Sequence, residues 1–299
     1  MYHQIARNKR NSIIVVSLFL VVWILAGFVI GLFGGSTTDA IIGAVILGLL
    51  GVGAALFSYY YGASTVLSAA GAREADPRLY QQLYNIVQTL AIGDGLPVPK
   101  VYIIDDPSPN AFATGRDPQH AAVTVTTGLL QMMDREELMG VLAHEMSHVK
   151  NFDVRLLLVV TTMIGLAAII SSVIWNGALR FRSRDARAVL VVVAIGIVFT
   201  LIAFILGPIM QMALSRQRES LADVSGVELT RNPVGLISAL KKIAANDRPM
   251  ERFNHATAAM CIDNPKEHHG SFFNHLFDTH PPIEERIAAL EKIASVQQT

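Results

Sequence analysis

His144, Glu145 and His148 stand in the run Leu142-Ala143-His144-Glu145-Met146-Ser147-His148, inside an apolar stretch of helix-forming residues. On a helix, positions four apart lie on one face about one turn from each other. Both imidazoles can then reach one metal ion. Glu145 lies beside that face, within reach of a water in an open coordination position. His-Glu-x-x-His is a pattern of zinc-assisted hydrolysis, with two neutral imidazoles as ligands and a carboxylate as general base. The pattern is short, so the rest of the chain has to support it.

Zinc hydrolases usually keep three protein ligands and leave one place for water. The residues after His148 are Val149-Lys150-Asn151-Phe152-Asp153-Val154, which lack the Gly at 151 and the His at 154 that one zinc-protease class uses for its third ligand. The candidates elsewhere are Glu219, Asp223, His255, His268, His269, His275 and His280. Glu219 and Asp223 form Glu-x-x-x-Asp on an expected helix, again one turn apart. Glu219 would suit a ligand, and Asp223 would accept the second N–H of a ligand His. Spacing alone serves equally well a solvated Glu219 in the charged run Arg216-Gln217-Arg218-Glu219. His268, His269 and His275 read as solvated loop residues. His280, before two prolines, reads as a turn residue, and Asn110-Ala111 as a turn after Pro107 and Pro109.

The elements that must hold these groups are partly legible. Asp76-Pro77 predicts a helix start, with Asp at the N-cap and Pro at the first helical position. Leu79, Leu83, Ile86 and Leu90 then form one apolar stripe. Val101–Ile104 and Ala121–Thr127 predict short strands. Asp134-Arg135-Glu136-Glu137 resembles a capping box that opens the helix carrying His144. Further helices are expected over Ala213–Leu229, Val234–Ala245 (after Asn232-Pro233) and Pro282–Ala294, with Arg248–Thr279 irregular.

The chain has 299 residues, no net charge, 52% hydrophobic residues and only 16% charged ones, against roughly 25% charged in ordinary soluble domains. That composition points to a membrane protein, and the neutral balance gives no argument for nucleic-acid binding. The single cysteine, Cys261, excludes an internal disulfide and a cysteine metal cluster. Four uncharged stretches reach the roughly 20 residues a span requires: Ser12–Phe33, Ala40–Tyr61, Leu156–Trp175 and Ala188–Met212. The first is too long for the core of a cleaved signal peptide and reads as a retained anchor. Small residues four apart, Ala44 with Gly48 and Gly51 with Ala55, suit a tight hairpin with it. Tyr59, Tyr60 and Tyr61 suit the interfacial belt. Arg7, Lys9 and Arg10 place the N-terminus in the cytoplasm, together with residues 62–155 and 213–299. Arg180, Arg182, Arg184 and Arg187 would then be outside, against the positive-inside rule; they suit solvent or lipid headgroups. The organisation expected is a transmembrane hairpin (1–62), catalytic sequence (63–155), a second hairpin (156–212) and further catalytic sequence (213–299).

Several motifs together resemble the HtpX group of bacterial membrane zinc metalloproteases, relatives of the CAAX prenyl protease. They are the two N-terminal spans, Asn110-Ala111-Phe112-Ala113, the strand into Thr127-Gly128-Leu129-Leu130, His144–His148, Arg218-Glu219-x-x-Ala222-Asp223 and Thr279-His280-Pro281-Pro282. The resemblance covers nearly the whole chain. It implies a mainly α fold with a small β-sheet, a membrane-embedded zincin-like (gluzincin) metallopeptidase with up to four transmembrane helices. It implies one Zn2+ per chain held by His144, His148 and Glu219, Glu145 as general base and His280 as donor to the oxyanion. Asp223 is implied as the residue behind a ligand, Arg286 as its structural partner, and Asn110 and Ala111 as the start of a substrate-holding strand. The implied partners are protein substrates, membrane proteins among them, and the lipid bilayer, in quality control of damaged proteins at the bacterial inner membrane. Two other classes compete. A metal transporter would want His, Asp or Glu inside the spans, and they hold none. A catalytically dead scaffold would not need Glu145.

Overall fold

The computed structural model describes residues 2–33, 35–178, 186–203, 216–246 and 282–297. In chain order its helices are α1 (Tyr2–Leu32), α2 (Thr37–Ala69), α3 (Gln81–Asp94), α4 (Thr127–Met132), α5 (Arg135–Lys150), α6 (Asp153–Ala178), α7 (Ala186–Leu201), α8 (Arg216–Thr230), α9 (Pro233–Ala244) and α10 (Ile283–Gln297). The strands are β1 (Arg73–Glu74), β2 (Lys100–Ile104), β3 (Ala111–Gly115) and β4 (Ala121–Thr126).

Three helices are long and apolar enough to cross a membrane: Ile5–Leu32, Thr37–Ala69 and Asp153–Gly177. Each carries Leu, Ile, Val or Phe side chains exposed on its outer face, as lipid-facing helices must. The expected fourth span is a shorter apolar helix, Val189–Leu201, within the described residues. α1 and α2 cross at glycines. A methyl group at Gly27 would lie 2.2 Å from the Gly43 carbonyl oxygen, so only hydrogen fits there. The expected small pairs lie on the same hairpin, with Gly48 against Ile24 and Gly51 against Trp23. The closest approach is at Gly43, which the four-residue spacing did not single out.

The sheet has the order β1-β2-β4-β3. β2 and β4 run parallel, while β1 and β3 are antiparallel to their neighbours, so β3 is an edge. Alternation sends Val101, Ile103, Val123 and Val125 into one core with Leu83, Ile86 and Leu90 of α3 and Val141, Leu142 and Met146 of α5. Phe112, Ala122 and Ile104 face the other way, onto Val66 of α2 and Leu158 of α6. The sheet therefore ties α5, the helix of His144 and His148, to the membrane helices.

Asp76-Pro77 does not start α3. Asp76 instead caps a turn, accepting from the N–H of Arg78 at 2.8 Å, and the helix opens at Gln81. Leu79 thus falls in the turn and is exposed. α5 opens on the expected capping box, Asp134 with Glu137. Glu137 is buried and also holds Lys242 Nζ and Ser238 Oγ of α9, both at 2.6 Å. Burial opposes its charge, but Lys242, Ser238 and the Asp134 N–H together keep its pKa below the ordinary carboxylate value. A depressed carboxylate adds stability that is fully present above the unfolded pKa and fades as pH falls through the folded one. Glu137→Gln should therefore cost about 1–3 kcal/mol near pH 7, a charge-assisted network being lost. Its deficit in thermal midpoint should narrow as pH falls through the depressed pKa of Glu137. Melting curves in detergent across pH check this, and an unchanged gap in acid would refute it.

Candidate metal centre and active site

α5 carries His144, Glu145 and His148 on its buried length. α8 lies against it with one buried face made of Glu219, Ala222, Asp223, Gly226 and Val227. Gly226 permits the contact, because a methyl there would sit 3.1 Å from the His144 backbone nitrogen. That approach brings Glu219 over both imidazoles. Its Oε2 lies 3.5 Å from His144 Nε2 and its Oε1 3.5 Å from His148 Nε2. The two Nε2 atoms are 3.2 Å apart, and the three donor atoms all fall within 4.8 Å of one another.

Each imidazole is oriented from behind by a carboxylate. His144 Nδ1 is 2.8 Å from Asp223 Oδ1, and His148 Nδ1 is 3.2 Å from Asp153 Oδ2. Arg286 of α10 grips Asp223 with Nε at 3.0 Å and Nη2 at 2.7 Å. In the neutral form, with Nδ1–H donated to its carboxylate, each ring would turn the Nε2 lone pair to the centre, as a metal ligand must. Two imidazole lone pairs and a carboxylate converging this closely repel unless a cation lies among them. The donor set, two nitrogens and one oxygen with an orienting partner behind each ring, fits zinc. The local field agrees. Burial and the Arg286 guanidinium both disfavour a charged His144, yet Asp223 and Glu219 outweigh them and raise its pKa to about 9. Burial opposes charge on Asp223 as well, but Arg286 and His144 hold it down at about 2. The site thus favours positive charge beside these carboxylates.

Glu145 is 4% exposed. Its Oε2 accepts from the main-chain N–H of Ala113 on β3, at 2.9 Å. α5 and the edge strand are thus joined at Glu145, the base expected from sequence. Asn110 and Ala111 sit where β3 begins, and both are buried. Asn110 Oδ1 accepts from the Ala111 N–H at 2.8 Å, and its own N–H donates to Thr126 Oγ1 at 2.9 Å. His144, Glu145, His148, Glu219, Asp223 and Arg286 are therefore brought together. His255, His268, His269, His275 and His280 lie outside the described residues. Sequence reasoning missed Asp153, and it missed the Ala113 N–H. A carboxylate at the first position of an apolar helix, just after the ligand helix, was the signal available for Asp153.

Two histidines on one helix, a glutamate from a second helix and long apolar helices are together what a membrane-associated protease of the metal-dependent kind would need. Residues 77–294 match Peptidase family M48, and the chain belongs to that family. It is 46% identical to the Protease HtpX homolog of Lactobacillus acidophilus over 304 residues, 97% of this chain and 99% of that one. It is 45% identical to that of Lactobacillus helveticus over 306 residues, 98% of this chain and 100% of that one. The crystal structure of S. mikatae Ste24p is similar with a TM-score of 0.48 at 16% identity, covering 97% of this chain and 66% of that one. This chain thus spans just under two thirds of that protein's length.

Proposed function

We propose that the chain is a zinc-dependent endopeptidase of the bacterial cytoplasmic membrane that cuts extended segments of damaged or misfolded proteins, membrane proteins among them. The observation that supports this best is the convergence of His144, His148 and Glu219 beside a Glu145 held on an edge strand. Zinc held by those three residues would supply Lewis-acid activation of water and of the scissile carbonyl. Glu145 takes the proton of the attacking water and returns it to the leaving amine. Asp223 and Asp153 keep the imidazoles in the tautomer that presents Nε2, and Arg286 keeps Asp223 ionised. His280 is the proposed donor to the developing oxyanion. β3, with Asn110 and Ala111 at its start, is the proposed place for substrate backbone, because an edge strand can accept one more extended segment.

The ligand pair lies just before α6 and Glu219 soon after the α7 region, so the site sits close to the membrane surface. We place it on the cytoplasmic side, with the basic N-terminus. In a Cys261→Ser background, a membrane-impermeant thiol reagent added to spheroplasts should label Ser36→Cys and spare Glu228→Cys. The reverse pattern would overturn the orientation. The chemistry is tested by cleavage of unfolded casein with the purified full chain in detergent. A chelator should abolish cleavage and one equivalent of zinc restore it; cleavage that ignores the chelator would exclude the zinc mechanism.

A further inference from the structure

His144 and His148 are supported in parallel ways. Behind His144 stands Asp223, held by Arg286 near the C-terminal end of the described chain. Behind His148 stands Asp153, and it too is held by a residue from far away in sequence. Asn8, 2% exposed on α1, donates from Nδ2 to Asp153 Oδ1 at 2.6 Å and to the Asn151 carbonyl at 2.9 Å. Both amide hydrogens are used, which fixes the orientation of the side chain. Arg218, one residue before Glu219, lies 3.8 Å from the same Oδ1. Asp153 therefore joins α1, α5 and α8 at a single carboxylate.

The turn that delivers Asp153 is strained. Phe152 adopts φ 60, left-handed backbone that a bulky side chain disfavours. Its ring is covered by Lys9 Nζ at 4.3 Å and flanked by the Arg155 guanidinium at 5.0 Å. Asn8 and Lys9 thus clamp both sides of the α5–α6 turn. Asn8 stands at the basic end of α1, among Arg7, Lys9 and Arg10, and is nevertheless buried against these partners.

We infer that Asn8, on the first membrane helix, is a positioning residue of the metal centre, holding the Asp153 carboxylate that orients His148. This rests on the zinc reading proposed above. Metal affinity is then tied to docking of α1, and the anchor helix becomes part of the active site.

The test uses the full chain in detergent and measures zinc affinity by competition with a chromophoric chelator, with the visible spectrum of the cobalt-substituted protein as a second readout. Asn8→Leu fills the buried position and removes the donor; Asn8→Asp keeps the volume and removes it too. Both should weaken zinc about tenfold and shift the cobalt bands, as changes behind a ligand do. Ser12→Ala, which loses only a hydroxyl donating to the Asn8 carbonyl, should change neither. Because Asn8 acts through Asp153, Asn8→Leu should add nothing in an Asp153→Ala background. Wild-type zinc affinity in both Asn8 variants, or full additivity with Asp153→Ala, overturns this proposal and leaves the zinc reading standing. A wild type that takes up no zinc overturns both.

Discussion

Glu145→Gln should keep its zinc and lose its proteolysis. The substitution changes one oxygen to an amide nitrogen and conserves shape. A glutamine carbonyl can still accept from the Ala113 N–H, so the catalytic helix should stay on the edge strand. His144, His148 and Glu219 are untouched. What disappears is the group that takes and returns the proton. A general base contributes roughly 10²–10⁴-fold, so kcat should fall by at least that range with little change in KM. Casein cleavage rates beside metal analysis of the same preparation decide it. Near wild-type turnover in the purified variant would refute the assignment of the base.

Glu219→Gln should do the opposite and strip the metal. A neutral amide is a poor zinc ligand, and the two imidazoles left behind make an incomplete set. The loss should exceed the roughly 10- to 100-fold expected for Asp223→Asn, which only loosens the orientation of His144. Glu228→Gln, an exposed position on the same helix, is the control and should retain one zinc per chain. Stoichiometric zinc in Glu219→Gln would remove Glu219 from the ligand set.

What could be read from sequence was what is local. The Asp134–Glu137 capping box and the Leu83–Ile86–Leu90 stripe depend on residues within a turn or two, and both stand in the structure. Asp76-Pro77 misled because the same residues that cap a helix also cap an isolated turn. β3 gave little pattern of its own. Ala111-Phe112-Ala113-Thr114-Gly115 is small and buried throughout, and its strand character comes from pairing with β4, which local spacing cannot show. At the site, helical spacing paired His144 with His148 but left Glu219 one of several candidates. Its choice over the others needs the approach of α8 to α5 at Gly226, a contact between segments far apart in sequence. Asp153 was hidden for another reason. It lies five residues past His148, off the helical period, and reaches back because Phe152 reverses the backbone.

The hold of Ala113 on Glu145 has a consequence for how this site would look to genetics. The donor is a main-chain N–H, present whatever side chain occupies the position. Substituting residue 113 changes packing in the core and leaves the contact with the base chemically intact. Only proline, which lacks that hydrogen, deletes it. A survey by side-chain replacement would therefore score position 113 as tolerant or merely structural. The group that steadies the proposed base would go uncounted among the functional ones.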